Sequence, residues 1–433
     1  MAVSHEERLG NERRKTMLVF LSDVHMTDGS SGETIKSTAF RIFAENIRKL
    51  ADTVKPLEEI RLVLLGDIFD IIRSTKWLSG PDRPWEDAGG QQKVVQQILD
   101  SILSENRDSL SELRGLRQLA EEKKVPFDIT YVIGNHDWLI NRYPACRNAV
   151  AAALGIATGS NPFPSQLFEP GYKVFARHGD IYDDFNYMGN RDASSIGDAI
   201  VIELLNKYPD QVIQSLRSLV TDGSVTQAEA DLIKGQLKEL DNIRPLLDAP
   251  SWVLMVAKKT ENAAARQAIE QAWDDCVDAF FEVPFIKKQN KFLWPDMIDL
   301  LQITLQLSSH TSKKILEKVA DLKEKWFPDD AAGGYDQHAF TEPKIRSGEA
   351  SFVLYGHTHD YLMIPMDQTP LSGGLNQDKI YFNTGTWRKT WNKAKFDPAN
   401  REFIGWHVLT YVAIFKPSEN GPYNFEVWNA ALG

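Results

Sequence analysis

The sequence predicts an α/β fold with a polar site at one edge of a sheet. Short runs of β-branched and aromatic residues, typical of buried strands, recur along the chain. Long stretches with helical periodicity separate the first three runs. Six of the runs end abruptly in Asp, His or Asn. Because ligand sites of α/β layers gather outside the carboxyl ends of strands, we expect these polar clusters to converge.

The predicted strands and helices of the α/β part are short and well bounded. The six runs followed by polar clusters are Met17–Leu21, Leu62–Leu65, Ile129–Ile133, Val174–Ala176, Phe352–Tyr355 and Ile380–Phe382. Two further runs, Phe403–Phe415 and Tyr423–Trp428, predict closing strands. The periodic stretches Thr34–Lys55 and Gln91–Lys124 predict helices between the first three strands.

The middle of the chain has a different sequence pattern from the parts on either side. Residues 191–346 are mostly helical in pattern, with proline and glycine at the breaks, and show few features of strands. The predicted helices there are Ser195–Lys207, Thr226–Leu247, Ala263–Phe281 and Met297–Trp326. We therefore predict a core in two parts, 16–190 and 347–433, interrupted by a helical insertion that caps the site. The alternative is that these helices only flank the sheets.

Composition is ordinary for a soluble globular protein, and the charge balance disfavours binding to a nucleic-acid polymer. The chain has 433 residues, 42% of them hydrophobic and 25% charged, and a net charge of -11. Proteins that bind nucleic acid usually carry a basic surface that replaces the counterions of the phosphates. The acidic balance makes a long nucleic-acid polymer a less favoured partner than a small phosphorylated molecule.

The sequence also predicts a cytoplasmic protein. Its two cysteines, Cys146 and Cys276, cannot form a disulfide framework, which favours a reducing compartment. Met1–Thr16 is charged throughout and lacks the apolar segment of a secretory signal. The later apolar runs are too short to span a membrane. Oligomeric state is not readable from the sequence.

The polar clusters supply the ligand types that divalent metals prefer. Carboxylate oxygen, amide oxygen and imidazole nitrogen suit hard and borderline cations, and no thiolate is present in the clusters. Side chains two residues apart at a strand end point in the same direction. This spacing occurs twice, in the pair Asp23 and His25 and in the pair His357 and His359. The candidate metal ligands are Asp23, His25, Asp67, Asn135, His178, His357 and His359. Five of the nine histidines fall in these clusters, which random placement would not produce.

The clusters resemble the calcineurin-like metallophosphoesterase superfamily. Its motifs DxH, GDxxD, GNHD, HG and GHxH occur complete and in the family's order, over about residues 16–182 and 350–390. They begin at Asp23, Gly66, Gly134, His178 and Gly356. The resemblance does not cover the helical insertion.

The resemblance implies two packed mixed β-sheets flanked by helices and a site for two divalent metals. One metal would take Asp23, His25, Asp67 and His359, and the other Asp67, Asn135, His178 and His357. Asp67 would bridge the metals together with a hydroxide that attacks phosphorus. His136 resembles the histidine that contacts the phosphate and protonates the leaving oxygen, with Asp137 holding its other nitrogen. Manganese is the expected metal, and iron, zinc, nickel or cobalt also suit these ligands.

The expected function is hydrolysis of a small phosphodiester, nucleotide or pyrophosphate-linked substrate. The alternatives are a nuclease acting on DNA or RNA ends, a phosphomonoesterase or protein phosphatase, and a non-catalytic scaffold. The segments at Gly66 and His178 also resemble UDP-diacylglucosamine pyrophosphatases. That branch commonly has arginine where His136 stands, which favours a general phosphodiesterase or phosphatase.

Several further residues are weaker candidates. Asp70 either orients a ligand histidine or is an acid at a helix start. The acids Asp180, Asp183 and Asp184 could hold His178, bind substrate or be plain loop residues. Arg388 follows a strand end, so its planar guanidinium could bind a phosphate with Asn135 and His136, or form a surface ion pair.

Overall fold

The computed structural model describes residues 16–54, 56–156, 161–292, 305, 334–370, 376–394, 402–416 and 424–431. The strands are β1 (Thr16–Leu21), β2 (Glu59–Leu65), β3 (Phe127–Val132), β4 (Gln166–Glu169), β5 (Val174–Arg177), β6 (Ile243–Arg244), β7 (Phe352–Tyr355), β8 (Tyr361–Pro370), β9 (Asn376–Thr384), β10 (Lys389–Lys393), β11 (Phe403–Phe415) and β12 (Asn424–Ala431).

The helices lie before, between and after these strands. They are α1 (Ser37–Thr53), α2 (Gln91–Glu105), α3 (Arg107–Lys123), α4 (Trp138–Arg142), α5 (Pro144–Leu154), α6 (Ile196–Ile200), α7 (Lys207–Thr221), α8 (Gln227–Lys238), α9 (Ala249–Lys259), α10 (Ala263–Glu282), α11 (Pro284–Phe292), α12 (Tyr335–Thr341) and α13 (Pro343–Arg346). A π-helical segment, Val201–Asn206, joins α6 to α7. Among the described residues, none of the helices combines the length and apolar character needed to cross a membrane.

The strands form two mixed sheets, which bears out the predicted α/β class. The first sheet has the order β3-β2-β1-β11-β10-β6, with β12 paired to β11. The second has the order β4-β5-β7-β9-β8. Strands β1, β2 and β3 are parallel neighbours in the first sheet, as β5, β7 and β9 are in the second. Each sheet therefore brings three carboxyl ends to one edge.

Alternating side chains of β1 show how the layers pack. Leu18 and Phe20 belong to a buried cluster that includes Phe352 and Phe382 of the second sheet, so the two sheets share a core. Met17, Val19 and Leu21 point the other way, into a larger cluster formed with the helices. The outer face of the second sheet is covered by α12 and α13. Helices thus cover the sheet pair on both sides.

The predicted single helix over Gln91–Lys124 is two helices, α2 and α3, that meet at Asn106. The Asn106 side chain is buried and donates to the carbonyls of Thr27 (2.9 Å) and Ile102 (2.8 Å). Asparagine side chains compete with the helix for backbone partners, and this one binds the loop after β1. That loop carries two of the candidate ligands.

The segment 191–346 is less purely helical than predicted. Its two-residue strand β6 pairs in parallel with β10 and extends the first sheet. The predicted helix Thr226–Leu247 ends at Lys238, because the chain turns there towards β6. The predicted helix Met297–Trp326 lies outside the described residues, apart from Leu305.

A buried ion cluster joins this insertion to the core. Asp241, just before β6, pairs with Arg73 of the core, and its Oδ2 lies 3.5 Å from Nη1 of Arg388. All three side chains are about 95% buried or more. Arg73 also places Nη1 3.2 Å from Oδ2 of Asp70. Because both arginines are buried and paired with this carboxylate, the insertion should depend on Asp241 for its attachment.

Replacing Asp241 by alanine should lower the free energy of unfolding by about 3 kcal/mol, because it leaves two buried cations without this carboxylate. Denaturant unfolding of the purified variant measures the change. The matched control is Asp231→Ala, an exposed aspartate on α8, which should change stability by less than about 0.5 kcal/mol. Equal effects of the two substitutions would contradict the structural role of the cluster.

Candidate metal centre

The polar clusters meet where the carboxyl ends of strands from both sheets come together. Strands β1, β2 and β3 lead into the clusters of the first sheet, and β5 and β7 lead into those of the second. The seven candidate ligands all lie at this junction, and they are Asp23, His25, Asp67, Asn135, His178, His357 and His359. The first five are at least 95% buried. The convergence expected from strand topology is therefore present in the structure.

The backbone at these residues adopts an uncommon conformation. Seven non-glycine residues among the described part of the chain have positive φ, and five of them are candidate ligands. Their φ values are 51° for Asp23, 50° for His25, 54° for Asp67, 71° for His357 and 66° for His359. Positive φ is disfavoured for residues with a Cβ, and such strain clusters at functional sites. The fold holds these five side chains in a geometry that the local sequence would not choose.

Two glycines make the close approach of the clusters feasible. A Cβ at Gly66, whose φ is 87°, would collide with the ring of His178. A Cβ at Gly134 would collide with both the side chain and the backbone nitrogen of Asp67. Any larger residue at either position would therefore push the ligand loops apart.

The first potential ligand group contains Asp23, His25 and His359. Nε2 of His25 lies 3.0 Å from Nε2 of His359, and the latter nitrogen lies 3.3 Å from Oδ1 of Asp23. One ligand atom from each residue falls within 4.8 Å of the others. Two imidazole nitrogens and a carboxylate oxygen facing one point are a donor set that suits a divalent cation.

The second group contains Asp67, His178 and His357. His178 donates from Nδ1 to the carbonyl of Leu65 (2.9 Å), while its Nε2 lies 3.1 Å from Oδ2 of Asp67. This Nε2 is buried and has no hydrogen bond of good geometry among the described residues. Oδ1 of Asn135 lies 3.1 Å from Nδ1 of His357 and adds an amide oxygen. In His178, one ring nitrogen is fixed by a backbone carbonyl, and the other is buried and faces a carboxylate. This arrangement is typical of a metal-binding histidine.

The two groups together could hold metal ions. Asp67 also approaches the first group, with Oδ2 3.9 Å from Nε2 of His25. A third combination, His25, Asp67 and His136, also brings ligand atoms within 4.8 Å of one another. His136 is therefore placed where it could either bind an ion or contact a molecule held by one.

Carboxylates and amides behind the ligands fix their orientation. Asp70 accepts from Nδ1 of His25 (2.9 Å), which leaves Nε2 pointing into the site. Asp183 lies 2.9 Å from Nε2 of His357, which leaves Nδ1 beside Asn135. Asn186 contacts both Asp183 (2.8 Å) and the amide nitrogen of Asn135 (3.2 Å). Contacts of this kind set the tautomer and direction of metal-binding side chains.

The expected contact between Asp137 and His136 is absent. Asp137 accepts hydrogen bonds from the backbone nitrogens of Gly134 (2.7 Å) and Ile68 (3.1 Å) and from the hydroxyl of Tyr131. These three bonds occupy both carboxylate oxygens of Asp137. Nδ1 of His136 instead lies 2.9 Å from Oδ1 of Asp70. Asp137 thus shapes the loop, and Asp70 orients both His25 and His136.

Burial and close charge shift the titration of the cluster. Burial alone would raise the pKa of Asp23 and Asp67, but His178 and the neighbouring histidines hold both pKa values below the ordinary range. Burial would lower the pKa of His178, but Asp67 and Asp23 outweigh it and raise that pKa to about 10. The pKa of His136 rises to about 9, because Asp70 and Asp67 outweigh the effect of burial. Burial and the cation of Arg244 hold the pKa of His359 well below its usual value.

Arg388, the arginine predicted to bind substrate, lies behind the site. It is 96% buried and directed at Asp241, whose charge draws it away from the ligands. The arginines on the wall of the adjoining cavity are Arg73 and Arg244. Nε of Arg244 donates to Nδ1 of His359 at 3.0 Å. The arginine beside the candidate ligands therefore comes from the insertion.

Sequence reasoning missed Arg244 and could not single out Asp183. Arg244 lies in the insertion, with no motif and no predicted strand end to mark it. Asp183 is one of three acids after His178, of which Asp180 pairs with Arg191 and Asp184 is exposed. The spacing of those acids does not indicate which one contacts His357.

Comparisons with known proteins add no identification. No protein-family model matches the chain, and no curated protein matches it. The residues of the site are therefore the basis for inferring the function.

Replacing Asp183 by asparagine should weaken metal binding by about 10–100-fold, because His357 loses the carboxylate that orients it. Titration of the metal-free protein with manganese, followed by calorimetry, measures the affinity. The control is Asp184→Asn at the exposed neighbouring acid, which should bind manganese like the unmodified protein. Unchanged affinity in the Asp183 variant would contradict the orienting role.

Proposed function

We propose that this protein is a metal-dependent phosphoesterase that hydrolyses small phosphoesters. The observation that carries the proposal is the pair of buried ligand groups, Asp23–His25–His359 and Asp67–His178–His357, beside a cavity. His136 adjoins both groups and lines that cavity. The motif resemblance to calcineurin-like metallophosphoesterases, which is carried by the same residues, supports the same conclusion.

We infer two divalent ions, with manganese as the preferred metal. Asp23, His25, Asp67 and His359 would hold one ion, and Asp67, Asn135, His178 and His357 would hold the other. Two bound cations neutralise charge on a phosphoryl group and lower the pKa of water. A carboxylate with two oxygens, such as Asp67, is the ligand type that can serve both positions.

His136 is the group best placed to donate a proton. Its Nδ1 is held by Asp70 and its backbone nitrogen donates to Oδ1 of Asp67 at 2.9 Å, so the ring is fixed beside the ligand groups. About 15% of its side chain is exposed, which keeps it within reach of a bound molecule. In the metal-free site, Asp70 and Asp67 outweigh burial and raise the pKa of the ring to about 9. In this role His136 protonates the oxygen that leaves phosphorus.

Arg244 supplies positive charge on the insertion side of the site. Its guanidinium contacts His359 and the carbonyls of Asp241 (3.0 Å) and Ile243 (2.8 Å), which fix it at the cavity wall. A planar guanidinium suits a non-bridging phosphate oxygen. This assignment replaces Arg388 as the substrate-binding arginine.

A small substrate is favoured over a polymer. The cavity beside the ligands has a volume of about 280 Å³ and is walled partly by the insertion. The net charge of -11 opposes the counterion release on which nucleic-acid binding depends. A nuclease is therefore the less favoured candidate.

The test is manganese-dependent hydrolysis of a 4-nitrophenyl phosphodiester by the purified protein. Replacing His136 by asparagine should lower kcat for an alkyl phosphodiester by about 100-fold or more, because the departing alkoxide loses its proton donor, while the metal content stays the same. Elemental analysis of the same sample measures that content. No hydrolysis by the unmodified protein across the divalent metals would defeat the proposal. Loss of metal in the variant would make His136 a ligand instead.

A further inference from the structure

The cavity beside the ligand groups is lined by two chemically different sets of side chains. The core contributes polar groups, among them Asp67, Asn135, His136, Asp183, His357 and His359. The insertion contributes the charged groups of Asp241 and Arg244 and a set of apolar side chains. These apolar side chains are Ile200, Val201, Leu205, Leu246 and Leu247. A molecule that fills the cavity therefore meets both polar and apolar groups.

The local fold of the insertion presents these apolar side chains to the cavity. Val201 and Leu205 lie in the π-helical segment between α6 and α7, and π-helical turns often occur at functional sites. Leu246 and Leu247 directly follow Arg244 and Pro245, so the same short segment supplies both the cation and an apolar surface. The positive charge and the apolar wall are thus adjacent.

The volume of the cavity sets the size of what it can hold. A cavity of about 150 Å³ lined by aliphatic and aromatic side chains holds one benzene molecule. The cavity here measures about 280 Å³ in the metal-free protein, so the space beside the bound ions would fit a phosphoryl group and at most one apolar group of roughly that size. A nucleoside is larger than such a group.

We propose that the substrates are phosphodiesters in which one ester group is compact and apolar, such as an aryl or branched alkyl group. This inference rests on the proposed function and adds the substrate class. The phosphoryl group lies on the side of His136 and Arg244, and the apolar group lies against Val201, Leu205 and Leu247. Water adds its oxygen to phosphorus, the bond to the other ester oxygen breaks, and that oxygen leaves with a proton from His136. The apolar group remains on the phosphomonoester product.

A series of diesters with one common leaving group tests this directly. The probes are 4-nitrophenyl diesters whose second group is phenyl, methoxyethyl or thymidine-5′, assayed with manganese. We expect kcat/KM for the phenyl diester to exceed the other two by about tenfold or more, since each buried methylene-sized group contributes about fourfold. Equal values, or a preference for the thymidine or methoxyethyl diester, would overturn the inference but leave the proposed function standing. No hydrolysis of any probe would defeat both.

Variants of the apolar wall provide a second test with a matched control. Leu247→Ser and the nearly isosteric Val201→Thr each place a hydroxyl in the wall, and should lower the phenyl-to-methoxyethyl ratio of kcat/KM by about fivefold. Leu232→Ser changes a leucine that is 66% exposed on α8, and should leave the ratio unchanged. A ratio unchanged in both wall variants would overturn the inference. The ratio does not depend on the fraction of active protein, so partial misfolding cannot imitate the effect.

Discussion

The site depends on burying carboxylates and imidazoles of complementary charge at the junction of two sheets. Asp23 and Asp67 are almost inaccessible to water, and ionised carboxylates there would be unstable without partners. The surrounding histidines provide those partners and hold the pKa of both acids low. The same charges raise the pKa of His178 and His136. Each group is stabilised by its neighbours, so the ligands form one electrostatic unit.

That unit constrains the backbone and the parts of the chain around it. Five of the candidate ligands have positive φ, and glycines at 66 and 134 provide the space that the neighbouring side chains need. The insertion adds a second level of constraint, because Asp241 pairs with Arg73 and Arg73 adjoins Asp70. Asp70 in turn holds His25 and His136. A continuous chain of charged contacts therefore links the insertion to His136.

Local patterns in the sequence were sufficient for the strands and the candidate ligands, but not for what surrounds them. Short apolar runs ending in polar clusters fixed β1, β2, β3 and β7 to within a few residues, since buried strands are strongly patterned. The break at Asn106, the pairing of β6 and the position of Arg244 depend on contacts between distant segments. The expected contact between Asp137 and His136 was wrong because it also depends on a distant segment. Asp70, in another loop, is the residue that contacts the His136 ring.

The number of metal ions bound per chain tests the central claim most directly. Manganese titration of the metal-free protein, with elemental analysis of the saturated sample, should give two ions per chain. His359→Asn and His357→Asn should each lose one ion, because they belong to different ligand groups. Asp67→Asn should weaken the binding of both ions. One ion or none in the unmodified protein, or loss of the same single ion in both histidine variants, would contradict a site of two metals sharing Asp67.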